Sequence, residues 1–137
     1  MRTNPYLGSH LPMLMKLVGM TSGPILELGS GSYSTPYLHW ACFPTKRPLA
    51  TYETNPEWWP YTKDFAADFH AVSLVTDWLT VPFEQEWSVA FVDHDGVRSE
   101  TVRRLQSAIE KIGSSRVYLL PVHSSDDANR TLGDAAK

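Results

Sequence analysis

The residues best suited to chemistry fall in five short polar clusters. They are Glu27-Leu28-Gly29-Ser30-Gly31-Ser32-Tyr33-Ser34, Glu53-Thr54-Asn55, Asp77-Trp78, Asp93-His94-Asp95-Gly96 and His123-Ser124-Ser125-Asp126-Asp127. In the first, Gly29 and Gly31 let backbone approach a ligand closely, and a helix starting just beyond presents unpaired N–H groups. The pattern is G-x-G-x-x-S, without the third glycine of the dinucleotide fingerprint, so a plain strand-to-helix turn accounts for it equally well. Glu53 follows Gly29 by 24 residues, the separation at which an acid accepts hydrogen bonds from ribose hydroxyls. Its structural alternative is an acid at a helix start, beside Asn55 and Pro56. His94 is the general-base candidate because imidazole titrates near neutral pH; a histidine that merely hydrogen-bonds at a pocket rim is the competing reading. Asp93, Asp95, His123, Asp126 and Asp127 carry metal-ligand chemistry. DHDG also reads as a turn and SSDD as a solvated loop, and no metal is expected. There is no G-x-S-x-G elbow. Cys42 has no basic neighbour nearer than Lys46 and reads as a buried thiol.

Each cluster follows an apolar segment: 24–28, 49–52, 71–75, 87–92 and 116–122. Most of these show little polar alternation, as strands buried on both faces do. Helical signals lie between them. Ser34 or Thr35 can cap, with Pro36 in the first turn and Tyr37, Leu38, Trp40 and Ala41 following. Asn55 can cap a helix that Pro56 opens and that runs to about Phe65. Val102, Leu105, Ile109 and Ile112 recur at helical spacing, Glu100 and Arg104 pair one turn apart, and Gly113 ends the run. Residues 79–86 contain Pro82 and read as a short helix or loop. Ahead of all this, Leu11, Leu14, Met15 and Val18 form one apolar stripe with Ser9 as its cap. A leading helix followed by alternating strand and helix predicts an α/β fold, with a parallel sheet covered on both faces and right-handed crossovers. In such a sheet ligands bind at the carboxyl ends of the strands, where all five polar clusters fall.

The chain has 137 residues, 42% hydrophobic and 20% charged, with a formal net charge of −3. That length suits one domain, spanning 1–137, with a leading helical segment at 1–22 and a short tail at 124–137. The acidic balance argues against a general phosphate-backbone binder, so no nucleic-acid partner is expected. No apolar run approaches a membrane span and no secretory block opens the chain. A single cysteine suits a reducing compartment, so the expected location is cytoplasmic. Tyr52, Trp58, Trp59 and Tyr61 cluster beside the second strand without local basic charge and read as packing. His39 and His70 read as structural, and His10 as packing or a lid contact.

The run ILELGSGSYSTPYL resembles the first motif of class I S-adenosylmethionine-dependent methyltransferases, with Glu27 two residues before Gly29. Glu53, Asp77-Trp78 and Asp93 fall where that superfamily keeps its second, third and fourth motifs, and the likeness covers residues 5–127. It implies a Rossmann-like three-layer sandwich with a mostly parallel five-stranded sheet of order 3-2-1-4-5. It also implies a bound S-adenosylmethionine, with S-adenosylhomocysteine as product. Glu27, Gly29, Ser30, Gly31 and Ser32 would hold its methionine part, and Glu53, with Thr54 and Asn55 beside it, the ribose hydroxyls. Asp77 would contact the adenine amino group and Trp78 the ring. Asp93 and His94 would line the side of methyl transfer, as the catalytic pair. Two bland readings stand beside these: Asp77 as a helix cap and Trp78 as core packing. Family members carry two further strands, for which DDANRTLGDAAK is too short. The fifth strand would then be an exposed edge, suited to a homodimer.

The expected function is therefore transfer of a methyl group to an oxygen or nitrogen of a small-molecule acceptor. Two alternatives stand: an S-adenosylmethionine-binding protein that transfers no methyl group, and a nucleotide- or dinucleotide-binding Rossmann module.

Overall fold

A computed structural model describes residues 9–83, 85–93, 103, 104, 107, 108 and 118–122. The first helix, α1 (Leu11–Met20), buries Leu14, Leu17 and Val18, a three-and-four spacing that presents one face to the sheet. Met15, expected in that stripe, is instead 52% exposed, because it lies one residue, about 100°, round the helix from Leu14. The N-cap is His10 and no side chain caps the helix, so Ser9 does not serve as its cap.

The strands are β1 (Ile25–Leu28), β2 (Leu49–Glu53), β3 (His70–Leu74), β4 (Val89–Asp93) and β5 (Tyr118–Val122). All the pairings are parallel: β1 lies between β2 and β4, β3 pairs with β2, and β5 with β4. This is an α/β fold. In register, Leu28 faces Tyr52 on one side and Val92 on the other, which brings Gly29, Glu53 and Asp93 to the same sheet edge. The central strand β1 is buried at every position, whereas β3 runs buried, exposed, half-buried, half-buried, exposed. The expectation of strands buried on both faces therefore fails at β3. Among the described strands it has one neighbour only, and its outer residues Ala71 and Leu74 remain in solvent.

Alternation along β1 splits the core. Ile25 packs with Leu14, Leu17, Val18, Leu38 and Phe91 on the α1 side. Leu26 and Leu28 pack with Trp78, Val81, Phe83 and Trp87 on the other. Helix α2 (Ser34–Cys42) follows the glycine loop and buries Leu38 and Cys42. Tyr33 is its N-cap and makes no side-chain cap bond; Ser34 and Thr35, expected as caps, turn their hydroxyls into the core. Asn55 accepts from the Glu57 N–H and so closes a turn rather than opening a helix. Helix α3 (Trp59–Thr62) starts later, with Pro60 in its first turn, and passes into a 3-10 turn over Lys63–Phe65. A second 3-10 turn covers Trp78–Thr80. Residues 103, 104, 107 and 108 are helical; Glu100, Val102, Leu105, Ile109, Ile112 and Gly113 lie outside the described residues.

One buried cation ties the end of α1 to the start of β1. Arg47 donates to the carbonyls of Gly23 (2.6 Å) and Val18 (2.9 Å) and to the Thr21 hydroxyl (2.6 Å). These acceptors are neutral, so the guanidinium works as a fork of donors rather than as half of an ion pair. Arg47→Met should cost about 2–4 kcal/mol, because one buried and two half-buried acceptors lose their donors together. Arg47→Lys should recover only part of that loss, as urea denaturation can measure.

Candidate functional site

The crevice at the carboxyl ends of β1, β2 and β4 is built from a glycine loop and two flanking acids. Gly29 adopts φ 91°, a conformation that side chains resist, and its N–H donates to the Tyr52 carbonyl at 2.8 Å. That bond turns the chain out of β1 and across β2. At Gly31 a Cβ would sit 3.1 Å from the Ser34 hydroxyl and 3.6 Å from Oδ2 of Asp93. The loop thus passes close between the start of α2 and the end of β4, where a Cβ would be tight against Ser34 and in ordinary contact with Asp93. Ser32 is half-buried on the same loop.

Glu53 anchors this loop from β2. Its Oε1 accepts from the Ser30 N–H (2.9 Å) and hydroxyl (2.6 Å), and its Oε2 from the N–H groups of Thr54 and Asn55 (both 2.9 Å). The residue is 2% exposed. A ribose hydroxyl reaching Oε1 would take the place of Ser30 Oγ. That hydroxyl also lies 2.6 Å from Thr62 Oγ1, which bonds the Trp58 carbonyl. Two hydroxyl hydrogens serve three short contacts here, so one contact lacks its proton and Ser30 Oγ is the most replaceable donor of the set.

Glu27 lies deeper, at 0% exposure, and reaches the loop indirectly. Its Oε2 accepts from the Ser34 hydroxyl (2.7 Å), its Oε1 from Thr51 (2.8 Å), and Thr35 Oγ1 stands 3.0 Å from both oxygens. Thr35 in turn accepts the Gly31 N–H at 2.9 Å. Burial pushes the Glu27 carboxyl up to about 7, with Asp93 adding to the shift and the three hydroxyls opposing it. Tyr61 donates to the Gly31 carbonyl at 3.4 Å; its phenol is raised by burial and then by the negative Glu27.

The remaining expected residues separate. Asp93 is half-buried at the end of β4 beside Gly31. Asp77 is exposed and accepts from the Leu79 N–H at 2.9 Å, capping the 3-10 turn. Trp78 is 7% exposed and belongs to the core cluster beneath the sheet, the packing alternative of the two readings. His94, Asp95, His123, Asp126 and Asp127 lie outside the described residues. Among the described residues no three His, Cys, Asp or Glu side chains converge as metal ligands would.

Sequence reasoning missed how far the polar chain runs. Thr51 Oγ1 lies 2.7 Å from Nε2 of His70, whose Nδ1 lies 2.9 Å from Nδ1 of His39. An acid inside an apolar strand was the available signal: it requires partners, and Thr51 stands opposite Glu27 in the β1–β2 register. Burial, followed by the neighbouring His39, lowers His70 to about 4.

The two shifts act on stability in opposite senses. Glu27 binds its proton more tightly folded than unfolded, so its share of stability is greatest below its ordinary value of 4.5 and is lost as pH rises through about 7. His70 binds its proton less tightly folded, so its share is present above 6.5 and is lost as pH falls through about 4. Between these ordinary values the slopes oppose, each worth up to about 1.4 kcal/mol per pH unit. Relative to the parent chain, Glu27→Gln should make stability rise more steeply with pH between 4.5 and 6.5. His70→Gln should make it fall. Denaturant midpoints across that range read both slopes.

Comparison of the sequence with protein-family models finds no match, and a search of the curated proteins finds none either.

Proposed function

We propose that this chain is a class I S-adenosylmethionine-dependent methyltransferase acting on an oxygen or nitrogen of a small-molecule acceptor. The proposal includes the Rossmann-like three-layer sandwich with sheet order 3-2-1-4-5, the cytoplasm as its compartment and a homodimer paired through an edge strand. The observation that carries it is the glycine loop held between two acids: Glu53 bonds Ser30 from β2, and Asp93 stands beside Gly31 from β4. The donor set fits the cofactor. Gly31 brings bare backbone close to Ser34 and Asp93, and the loop can present its backbone to a ligand. Asp93 supplies a carboxylate for the side of methyl transfer, and Glu53 supplies a ribose acceptor once Ser30 Oγ moves aside.

Gly29, Ser30, Gly31 and Ser32 would line the methionine end, with Glu27 fixing Gly31 through Thr35. Thr54 and Asn55 would stand by the ribose, and Asp77 on the adenine side, with Trp78 packed in the core beside it. When bound, S-adenosylmethionine supplies an electrophilic methyl carbon that needs no metal or covalent intermediate. The chain's share is alignment of the acceptor and removal of its proton by Asp93 or His94.

Calorimetric titration of the full chain with S-adenosylmethionine, S-adenosylhomocysteine and NAD tests the reading. Micromolar binding of the S-adenosyl pair with NAD silent supports it; binding of NAD alone would replace it with the dinucleotide-binding alternative. Glu53→Gln should weaken S-adenosylmethionine by about 1–3 kcal/mol through lost charge-assisted bonds. Ser30→Ala removes the competing hydroxyl, and affinity should hold or improve. A tenfold loss in Ser30→Ala would show that the hydroxyl contacts the ligand instead of yielding to it.

A further inference from the structure

Glu27 presents a problem of access. The carboxyl group and its three partners Ser34, Thr35 and Thr51 are all 0% exposed, so none of them meets bulk solvent directly. One continuous row of hydrogen bonds leaves this enclosure: from Glu27 Oε1 to Thr51 Oγ1 (2.8 Å), to His70 Nε2 (2.7 Å), and from His70 Nδ1 to His39 Nδ1 (2.9 Å). His70 is 1% exposed, but His39, on α2, is only half-buried. The row therefore runs from the sealed interior to a ring that solvent can reach.

We propose that His39, His70 and Thr51 form a proton relay that loads and unloads the buried carboxyl of Glu27. The hydrogens of the row fix two states. With Glu27 ionised, the single Thr51 hydrogen points to Oε1, so Thr51 Oγ1 must accept from His70 Nε2–H. His70 Nδ1 is then an acceptor, which requires His39 to carry its hydrogen on Nδ1 and leaves His39 Nε2 with a lone pair. A proton arriving at that Nε2 moves every hydrogen one bond along. His39 gives its Nδ1 hydrogen to His70 Nδ1, His70 gives its Nε2 hydrogen to Thr51, and Thr51 gives its own to Glu27. One proton enters and one carboxylate becomes a carboxyl. Both imidazoles are neutral before and after, and each has changed tautomer.

The surroundings suit neutral rings and a titrating acid. From β4 Asp93, and from α3 Tyr61, face Glu27; the nearby Asp93 charge favours its neutral form. His10, ahead of α1, packs its ring at 5.0 Å on Phe91, the residue opposite Glu27 on β4, and burial keeps its pKa down. At the outer end, burial and Lys46 lower His39. His39 likewise opposes a charge on His70, while the Phe65 carbonyl favours a proton on that ring. Ser34 and Thr35, from α2, are neutral donors to the carboxylate. The relay needs no ligand, so it stands or falls separately from the proposed cofactor.

The experiment is a long-range proton–nitrogen correlation on the full chain with 15N-labelled imidazoles, which distinguishes the two tautomers and the cation, recorded from about pH 5.5 to about pH 8.5. The Glu27 carboxyl carbon is followed in parallel. At high pH, His70 should carry its hydrogen on Nε2 and His39 on Nδ1. On acidification both should swap tautomer at the same midpoint as Glu27. In Thr51→Val the acid should still titrate while the two rings no longer follow it. Rings that keep one tautomer while Glu27 titrates would overturn the relay, as would a Glu27 that does not titrate over this range. A Thr51→Val protein whose rings still follow Glu27 would overturn the assigned route. If that variant does not fold, the wild-type spectra decide alone.

Discussion

A carboxyl group in the middle of the central strand of a parallel sheet has no water to solvate it, and its neighbours must do so. Glu27 is that group, and most of the site can be traced to its needs. Two hydroxyls come from the first turn of α2 and one from β2. Because Ser34 and Thr35 turn inward, α2 begins without a side-chain cap. Because Thr35 also accepts the Gly31 N–H, the position of the loop follows from the position of the acid. Replacing Glu27 by an apolar residue would strand three buried hydroxyls as well as remove a charge. Such a set is harder to dismantle singly than as a whole.

Glu53 solves a different problem with the same functional group. It stands at the end of its strand, where the chain turns and backbone N–H groups are unpaired, and three of its four donors are N–H groups of Ser30, Thr54 and Asn55. Those donors come from two loops, so the acid staples the end of β1 to the end of β2. Only its fourth donor, the Ser30 hydroxyl, can leave by rotation of a side chain without moving backbone. Rigidity and accessibility thus divide within one carboxylate: Oε2 is committed to the turn, and Oε1 has a replaceable partner. A binding crevice needs both properties, since a preorganised wall lowers the cost of ordering on binding.

How much of this could be read from the sequence depended on whether the signal was local. The ends of the first, second and fourth strands were legible, because apolar runs followed by Gly, Glu or Asp mark both the strand and its exit. So was the burial of Cys42. Ser34 and Thr35 misled, since a hydroxyl at a helix start ordinarily caps it; here an acid seven residues before Ser34 competes for the hydroxyls and holds them, because a buried carboxyl needs donors in place of solvent. Met15 fell off the apolar stripe because spacing alone does not fix the centre of a helix's buried face. The third strand is one of the apolar runs, but it exposes Ala71 and Leu74 where it stands with one neighbour among the described strands, a fact of topology that no window of sequence contains. Trp78 and Asp77 sit together in the sequence and part in space, one in the core and one at a turn. His39 and His70 read as structural, and their distance across α2 and β3 hid the fact that they continue the partners of Glu27.

The two faces of the sheet differ in a way that bears on what the domain can do. On one side Leu26, Leu28, Ala90 and Val92 meet Trp78, Val81, Phe83 and Trp87, an apolar packing with its specificity in shape. On the other, the apolar packing of Ile25, Leu38 and Phe91 is interrupted by a polar row running across β1, β2 and β3. A polar row costs more to build than the leucines it displaces, and it tolerates fewer arrangements, because each member fixes the hydrogens of the next. What that cost secures is direction. Every hydrogen in the row points one way when Glu27 is ionised and the other when it is not, and the loop bond at Gly31 hangs from the same carboxylate through Thr35.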